Sequence, residues 1–570
     1  MSPAAPQYSN ADLPKFETLL DCLQHWSTTC ADEVHFVQPM GRSEVVEYTW
    51  AQVNDQVQRM AAYLQSLNLP ERSNIAILGK NSAHWIMADL AIWMAGHISV
   101  PIYPTVNAET AAYVLEHSEA KVLFLGKMEE LWPVVKDGIP QDLPTVVLPL
   151  GPDKPGSLNW NQLLTEFAPT QRPAQRTADE LATLMYTSGS TGNPKGVMVR
   201  FGAMTRALLG TAELYGINRG DRMLSYLPLA HAAERAVVET GSMVFGFRVY
   251  FSLGLSTFIE DLRRARPTLF FSVPRLWAKF YNGICAKISP RVQSILFRIP
   301  VLSGVFKRKI LQQLGLSEVR MALSGSAPLS AKLIEWYRGL GLELLEGYAM
   351  TENFAYSHGN RLDSARPGYV GLPFPGVDCR ISEQGEIQVK GPTLMMGYYK
   401  LPELTQEAFT EDGYLKTGDM GEVDELGRLK ITGRVKELFK TSKGKYVAPV
   451  PIENRLMGHA LIEAVCVTGP SLPQPIALVM LPLEEHQAVE TNPEERANVV
   501  GQMTELLNTV NAKLEAHEQL DCLIVVKDLW TMENGFLTPT MKIRRNIIEA
   551  HYLPKVEAWL KTRQPVVIEP

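Results

Sequence analysis

Between residues 74 and 125 short apolar runs alternate with segments of helical length, and this alternation constrains the fold more than any other feature of the chain. The runs 74–78, 99–102 and 121–125 are strand-sized; 82–95 and 108–118 lie between them and have the length and patterning of helices. Strands buried on both faces read as nearly continuous apolar runs, and parallel neighbours need a crossover between them, usually a helix. Such a chain forms parallel α/β sheets covered by helices, with ligands beyond the carboxyl ends of the strands. Upstream, 16–67 reads as helical, with a strand near 45–48 and a helix over 50–67. The same alternation returns over 204–345, with strands at 222–226, 269–273 and 342–345 and a strand leaving into a glycine-containing turn over 321–328.

At 570 residues the chain exceeds what one hydrophobic core serves, so several subdomains are expected. A composition 46% hydrophobic and 20% charged is globular. The net charge of −6 gives no basis for nucleic-acid binding through a broad basic face. The six cysteines follow no CxxC or Cys/His spacing, which suits packing residues in a reducing compartment. Residues 1–12 are polar, with no basic region leading into an apolar core, and no stretch reaches the roughly 18 apolar residues of a spanning helix. The nearest, 86–100, contains Asp89 and His97. A cytoplasmic enzyme is the expectation.

After the apolar run 181–185 comes Tyr186-Thr187-Ser188-Gly189-Ser190-Thr191-Gly192-Asn193-Pro194-Lys195-Gly196. Glycines let a backbone approach a ligand closely, and clustered N–H groups, hydroxyls and an ammonium make a cradle for phosphate oxygens. This is not a Walker loop, which ends in Gly-Lys-Ser/Thr and runs into a helix. Pro194 before Lys195 and Gly196 after it predict a lysine on a mobile loop. Two further strand ends carry small or hydroxyl residues: Ser324-Gly325-Ser326-Ala327-Pro328, and Glu346-Gly347-Tyr348-Ala349-Met350-Thr351-Glu352. Tyr348 offers an aromatic face for a base, and Glu352 a hard oxygen for Mg²⁺; together these ends read as a nucleotide pocket. His231, beside a strand end in 227–235, reads either as a packed core residue or as part of a site.

Segment 291–316 mixes Ile295, Phe297, Ile299, Val305 and Phe306 with Arg291, Arg298, Lys307, Arg308 and Lys309. It reads either as a basic amphipathic surface for anionic membranes or as a helix pair capping an apolar cavity. Beyond 367 the texture changes to short strands, at 377–382 and 386–390, and a glycine-punctuated run to 430, which predicts a small β subdomain. That run holds Asp419, suited to ribose hydroxyls, and is followed by Gly433-Arg434-Val435-Lys436. The tail to 570 predicts a compact α+β unit, with strands near 464–469, 475–482 and 523–526, helices over 494–515 and 544–560, and Lys542 in a turn before the last helix.

These motifs, in this order, resemble the adenylate-forming (AMP-binding) superfamily of acyl-CoA synthetases, luciferases and peptide-synthetase adenylation domains, and the likeness covers nearly the whole chain. Within it, 227–235 and 439–449 resemble long-chain fatty acyl-CoA synthetases. The resemblance implies that a carboxylate attacks the α-phosphate of ATP, releasing pyrophosphate, and that coenzyme A then displaces AMP. It implies that Thr187, Ser188, Gly189, Ser190, Thr191, Gly192 and Lys195 hold the β- and γ-phosphates. Gly325, Ser326, Ala327 and Pro328 would line the adenine site, with Glu346 and Gly347 leading into Tyr348, which stacks on the base. Thr351 would contact the α-phosphate, Glu352 hold Mg²⁺, Asp419 and Arg434 bind the ribose, Lys542 bridge carboxylate and α-phosphate, and His231 lie at the junction of the acyl and nucleotide sites. The implied division is an N-terminal adenylation domain, 1–435, and a small mobile C-terminal lid, 436–570, hinged at Lys436. The implied partners are a fatty acid or related carboxylic acid, coenzyme A and, through 291–314, a peripheral membrane surface, with no nucleic acid. The alternative is a fatty acyl-AMP ligase that delivers its acyl group to a carrier protein.

Overall fold

The computed structural model describes residues 14–187, 193–327, 329–459, 461–532, 534–538 and 542–569. An eight-stranded sheet forms its largest layer, in the order 397–398, 195–200, 181–187, 98–102, 74–78, 122–125, 145–147 and 158–159. From 181–187 to 158–159 all neighbours are parallel; 195–200 pairs antiparallel with 181–187, and 397–398 antiparallel with 195–200. Every residue of Asn74–Leu78 is buried, as helices on both faces require. All twelve residues of the helix Ala83–Met94 are buried too, which explains the most apolar stretch of the sequence: it lies inside the core. Among the described residues no helix is long and apolar enough to cross a membrane. Ser82 starts that helix by accepting the Trp85 N–H at 3.2 Å, a cap of a kind that contributes about 1 kcal/mol.

A second sheet runs Leu269–Ser272, Met321–Ser324, Leu344–Tyr348 in parallel and ends in two short antiparallel strands. A third joins Arg222–Ser225, Arg248–Phe251 and Val34–Pro39, with Val45–Thr49 on its edge. Val34–Pro39 is a strand where the sequence reads as helical: Phe36 and Val37 pair with Val249 and Tyr250, far along the chain. Asp378–Ile381, Glu386–Lys390, Leu415–Val423 and Leu429–Arg434 form a small antiparallel sheet. The last sheet combines Ala464–Thr468 and Ile476–Met480 with Leu523–Val525 and a strand not expected from sequence, Val566–Ile568. Buried apolar residues run up to Leu429 and resume at Phe439, and those from Phe439 onward form clusters of their own.

Segment 291–316 forms two helices that follow one another directly. Pro290–Arg298 and Pro300–Leu314 are paired helices. Ile310 and Leu314 join the cluster around Trp277 and Phe280, with Phe297 and Phe306 packed on it. Val292, Ile295, Ile299 and Val305 face solvent.

Candidate active site

Lys195 is the first residue of a strand and pairs across from Thr187, with Gly196 opposite Tyr186. This corrects the expectation of a lysine on a mobile loop. After Pro194 the residues alternate and pair back antiparallel with 181–187, so a strand and not a helix follows the motif. Ser188, Gly189, Ser190, Thr191 and Gly192 lie outside the described residues, as does Pro328. Gly196 lets the Tyr186 ring lie against the backbone: a Cβ there would stand 3.2 Å from it. The Tyr186 hydroxyl in turn bonds His117 Nδ1 at 2.7 Å.

Two parallel strand ends meet next. Ser324 pairs with Glu346, and beyond them Gly325 and Gly347 lie so close that a Cβ on Gly325 would be 3.5 Å from the Gly347 carbonyl oxygen. Ser326 has φ +70°, in the left-handed region, and it and Ala327 are exposed at the mouth of this cleft. Glu346 turns away from the cleft: it is buried and accepts the Leu329 N–H at 3.0 Å, bracing the turn. Burial pushes its carboxyl up to about 7.

Tyr348 ends its strand with the hydroxyl donating to Asp419 Oδ2 at 2.8 Å, while Arg434 Nε donates to Asp419 Oδ1 at 2.8 Å. Asp419 and Arg434 are cross-strand partners within the small sheet, so register alone brings the acid and the base together. Asp419 thus lies within a strand. Thr351 and Glu352 begin the 3₁₀ turn Thr351–Asn353, and Glu352 Oε1 accepts the Tyr398 hydroxyl at 2.8 Å. No group of three or more His, Cys, Asp or Glu residues able to hold a metal occurs among the described residues. A single hard carboxylate beside a phosphate cradle fits Mg²⁺, which takes one or two protein carboxylates and completes its shell with substrate phosphates and water.

His231 caps the short helix Ala232–Glu234, its Nδ1 accepting the Ala233 N–H at 3.1 Å. That bond leaves the proton on Nε2. Burial, with the Lys542 charge added, lowers the imidazole to about 4, so it is neutral at physiological pH. Lys542 arrives from the other side. Its turn is closed by paired bonds with Thr538, of 2.8 Å from the Thr538 N–H and 3.1 Å to the Thr538 hydroxyl. Water reaches Lys542, yet both parts of the chain crowd its ammonium. Desolvation and then the Arg434 charge lower its pKa, while Asp419, Glu437 and Glu352 pull it up. Lys436 is exposed in a 3₁₀ turn, Val435–Glu437, directly after the strand that carries Arg434.

Sequence reasoning passed over three polar residues here. Glu234 Oε1 accepts from Asn81, the Ser225 hydroxyl and the Tyr226 N–H at 3.2, 3.0 and 3.0 Å, and burial raises it to about 8. Asn81 also donates to the Leu227 carbonyl and accepts the Leu229 N–H, tying the turn before His231 to the central sheet. Tyr398 carried no local signal beyond following a glycine.

The parallel sheets, the Asp419–Arg434 pair and a separate C-terminal α+β unit are the frame in which the chain is compared with known proteins. Residues 23–399 match the AMP-binding enzyme family and residues 437–564 its C-terminal domain. The chain belongs to the AMP-binding enzyme family. It is 30% identical to the long-chain-fatty-acid–CoA ligase FadD15 of Mycobacterium tuberculosis, over 90% of this chain and 92% of that one. It is 29% identical to long chain acyl-CoA synthetase 4 of Arabidopsis thaliana, over 92% and 89%. In fold it is similar to the anthranilate CoA ligase AuaEII in complex with anthranoyl-AMP, with a TM-score of 0.77, 23% identity and coverage of 97% of this chain and 100% of that one. The adenylation domain of a carboxylate reductase from Mycobacterium chelonae gives a TM-score of 0.79 at 21% identity, over 97% and 92%.

Proposed function

We propose that this chain is a long-chain fatty acid–CoA ligase that forms AMP. A fatty acid carboxylate oxygen attacks the α-phosphorus of ATP, and pyrophosphate leaves. The coenzyme A thiol then attacks the acyl carbonyl, and AMP leaves with the bonding electrons. The observation that carries this reading is the Asp419 carboxylate held between the Tyr348 hydroxyl and Arg434, in a chain whose residues 437–564, Lys542 among them, match the family's C-terminal domain. A carboxylate and a triphosphate repel each other, and a cation preorganised where they meet lowers that barrier directly. Family membership and the long-chain relatives support the substrate class.

In this reading Tyr348 lies against the adenine, Asp419 and Arg434 take the ribose hydroxyls, and Thr351 contacts the α-phosphate. Thr187, Ser188, Gly189, Ser190, Thr191, Gly192 and Lys195 hold the leaving pyrophosphate. Glu352 would hold Mg²⁺, which supplies charge neutralisation on the phosphates. Neutral His231, with its Nε2 proton, borders the carboxylate. The division falls at 435/436, where buried apolar residues are interrupted between Leu429 and Phe439, and Lys436 is the hinge on which 436–570 turns between the two steps. The exposed Ile295 and Val305 with Arg308 and Lys309 suit peripheral contact with an anionic membrane. Flotation with anionic vesicles, lost on replacing Lys307, Arg308 and Lys309 by Glu, tests that contact.

The test of the activity is ATP–pyrophosphate exchange over a panel of carboxylic acids, followed by detection of coenzyme A thioesters by mass spectrometry. Exchange and thioester with long-chain acids are expected. Exchange without coenzyme A consumption would instead favour delivery to a carrier protein.

A further inference from the structure

Tyr398 has no role in the reaction as described, yet it touches two of the charged groups that face the phosphates. The strand Gly397–Tyr398 pairs with Lys195–Arg200, placing Tyr398 opposite Val197, and the Tyr399 N–H donates to the Gly196 carbonyl at 2.8 Å. On its other side the same segment is tied to the 3₁₀ turn that carries Glu352. The Met395 N–H donates to the Glu352 carbonyl at 2.8 Å, and the Thr393 hydroxyl to the Asn353 carbonyl at 2.9 Å. Gly397, at φ +142°, lets Thr405 approach to where a Cβ would be 2.7 Å from its methyl, and the Thr405 hydroxyl oxygen accepts the Tyr398 N–H at 2.9 Å. The tyrosine is therefore fixed from three directions.

Its side chain divides two opposite charges. The hydroxyl donates to Glu352 Oε1 at 2.8 Å, and the Lys195 ammonium lies over the ring, 5.3 Å from its centre. A cation over a ring face is attracted by the quadrupole, and a hydroxyl bonded to a carboxylate orients it. A tyrosine phenol keeps its proton at neutral pH, so the hydroxyl is the donor in this bond.

We propose that Tyr398 is a positioning residue for the phosphate end of the site: its hydroxyl orients Glu352 toward the divalent cation, and its ring holds Lys195 toward the phosphates. The proposal rests on the reading of Glu352 as the cation ligand. The experiment is Mn²⁺ titration by electron paramagnetic resonance in the presence of ATP, on the full-length wild type, Tyr398→Phe, Tyr398→Leu and Glu352→Gln. Glu352→Gln is expected to weaken Mn²⁺ binding about tenfold, and Tyr398→Phe about three- to tenfold, the range that loss of one ordinary hydrogen bond allows, since Tyr398 acts on the cation only through Glu352. Because Phe retains the ring, the Tyr398→Phe enzyme keeps its KM for ATP within about twofold, whereas Tyr398→Leu raises it further. Mn²⁺ affinity unchanged in Tyr398→Phe but weakened in Glu352→Gln overturns the role of Tyr398 and leaves Glu352 in place. Unchanged affinity in Glu352→Gln overturns the metal-ligand reading, and this proposal with it.

Discussion

Arg235 and Arg434 both grip carboxylates, but only one of them is in contact with solvent. Arg235 is fully buried and bonds Asp89 and Glu239, with Ser99 and Thr183 accepting at 3.0 and 2.9 Å and Trp85 and Trp93 each 5.6 Å from the guanidinium. Burial and then Asp89 push Glu239 well above its usual range. Arg434 is 49% exposed, and Asp419 14%. A pair closed on every side has no route to a ligand and serves to fasten helices to the central sheet. A pair at a cleft mouth can exchange partners with a ribose. In the proposed reading the same residue types thus do opposite jobs, and the surroundings decide which.

That contrast can be broken by substitution. Arg235→Ala leaves two buried carboxylates without their cation and is expected to cost about 3–5 kcal/mol of stability, read by urea denaturation. Adding Asp89→Asn and Glu239→Gln should recover most of that loss, and a mild effect of Arg235→Ala alone would show the cluster to be ordinary packing. Asp419→Ala should lower kcat/KM for ATP about a hundredfold, roughly 2.7 kcal/mol, yet change stability by under about 1 kcal/mol, as for exposed pairs. An effect on stability larger than that on ATP use would reverse the assignment of the two arginines.

The proposed hinge gives a smaller and more selective effect. Lys436→Pro should keep pyrophosphate exchange within about threefold and slow thioester formation about tenfold or more. Equal loss in both assays would remove Lys436 from the hinge.

The smallest effect expected is in pH dependence. His231 is lowered from 6.5 to about 4, so between those values the unfolded chain binds more protons than the folded one. Its contribution is complete above pH 6.5 and is lost as pH falls toward 4. His231→Gln should flatten that part of the stability profile, and Lys542→Ala should move the imidazole back up toward its ordinary value, as seen by NMR.

Much of this was legible in the sequence because the signals were local. The strand Asn74–Leu78 and the helix Ala108–Ser118 have the extents that their apolar patterns predict, and Asp419 and Arg434, named together from their motifs, are cross-strand partners. What was hidden depended on partners distant in the chain. Val34–Pro39 has its parallel neighbour at Arg248–Phe251, and Val566–Ile568 completes a sheet only beside Leu523–Val525. Glu346 looked like part of a binding motif, yet folding turned it under the Leu329 N–H. Tyr398 lies 46 residues from Glu352 in sequence, and no local periodicity reports a contact between a tyrosine on an edge strand and a carboxylate in a turn.

In the proposed reading Lys542 completes the site from the C-terminal part of the chain, and dissecting the two half-reactions in Lys542→Ala tests this most directly. With a long-chain fatty acid, exchange of pyrophosphate into ATP should fall at least about a hundredfold, as when a preorganised charge is removed from a reacting centre. Thioester formation from purified acyl-adenylate and coenzyme A should stay within about threefold of wild type. Exchange retained in Lys542→Ala, or thioester formation lost in parallel with it, would contradict the account.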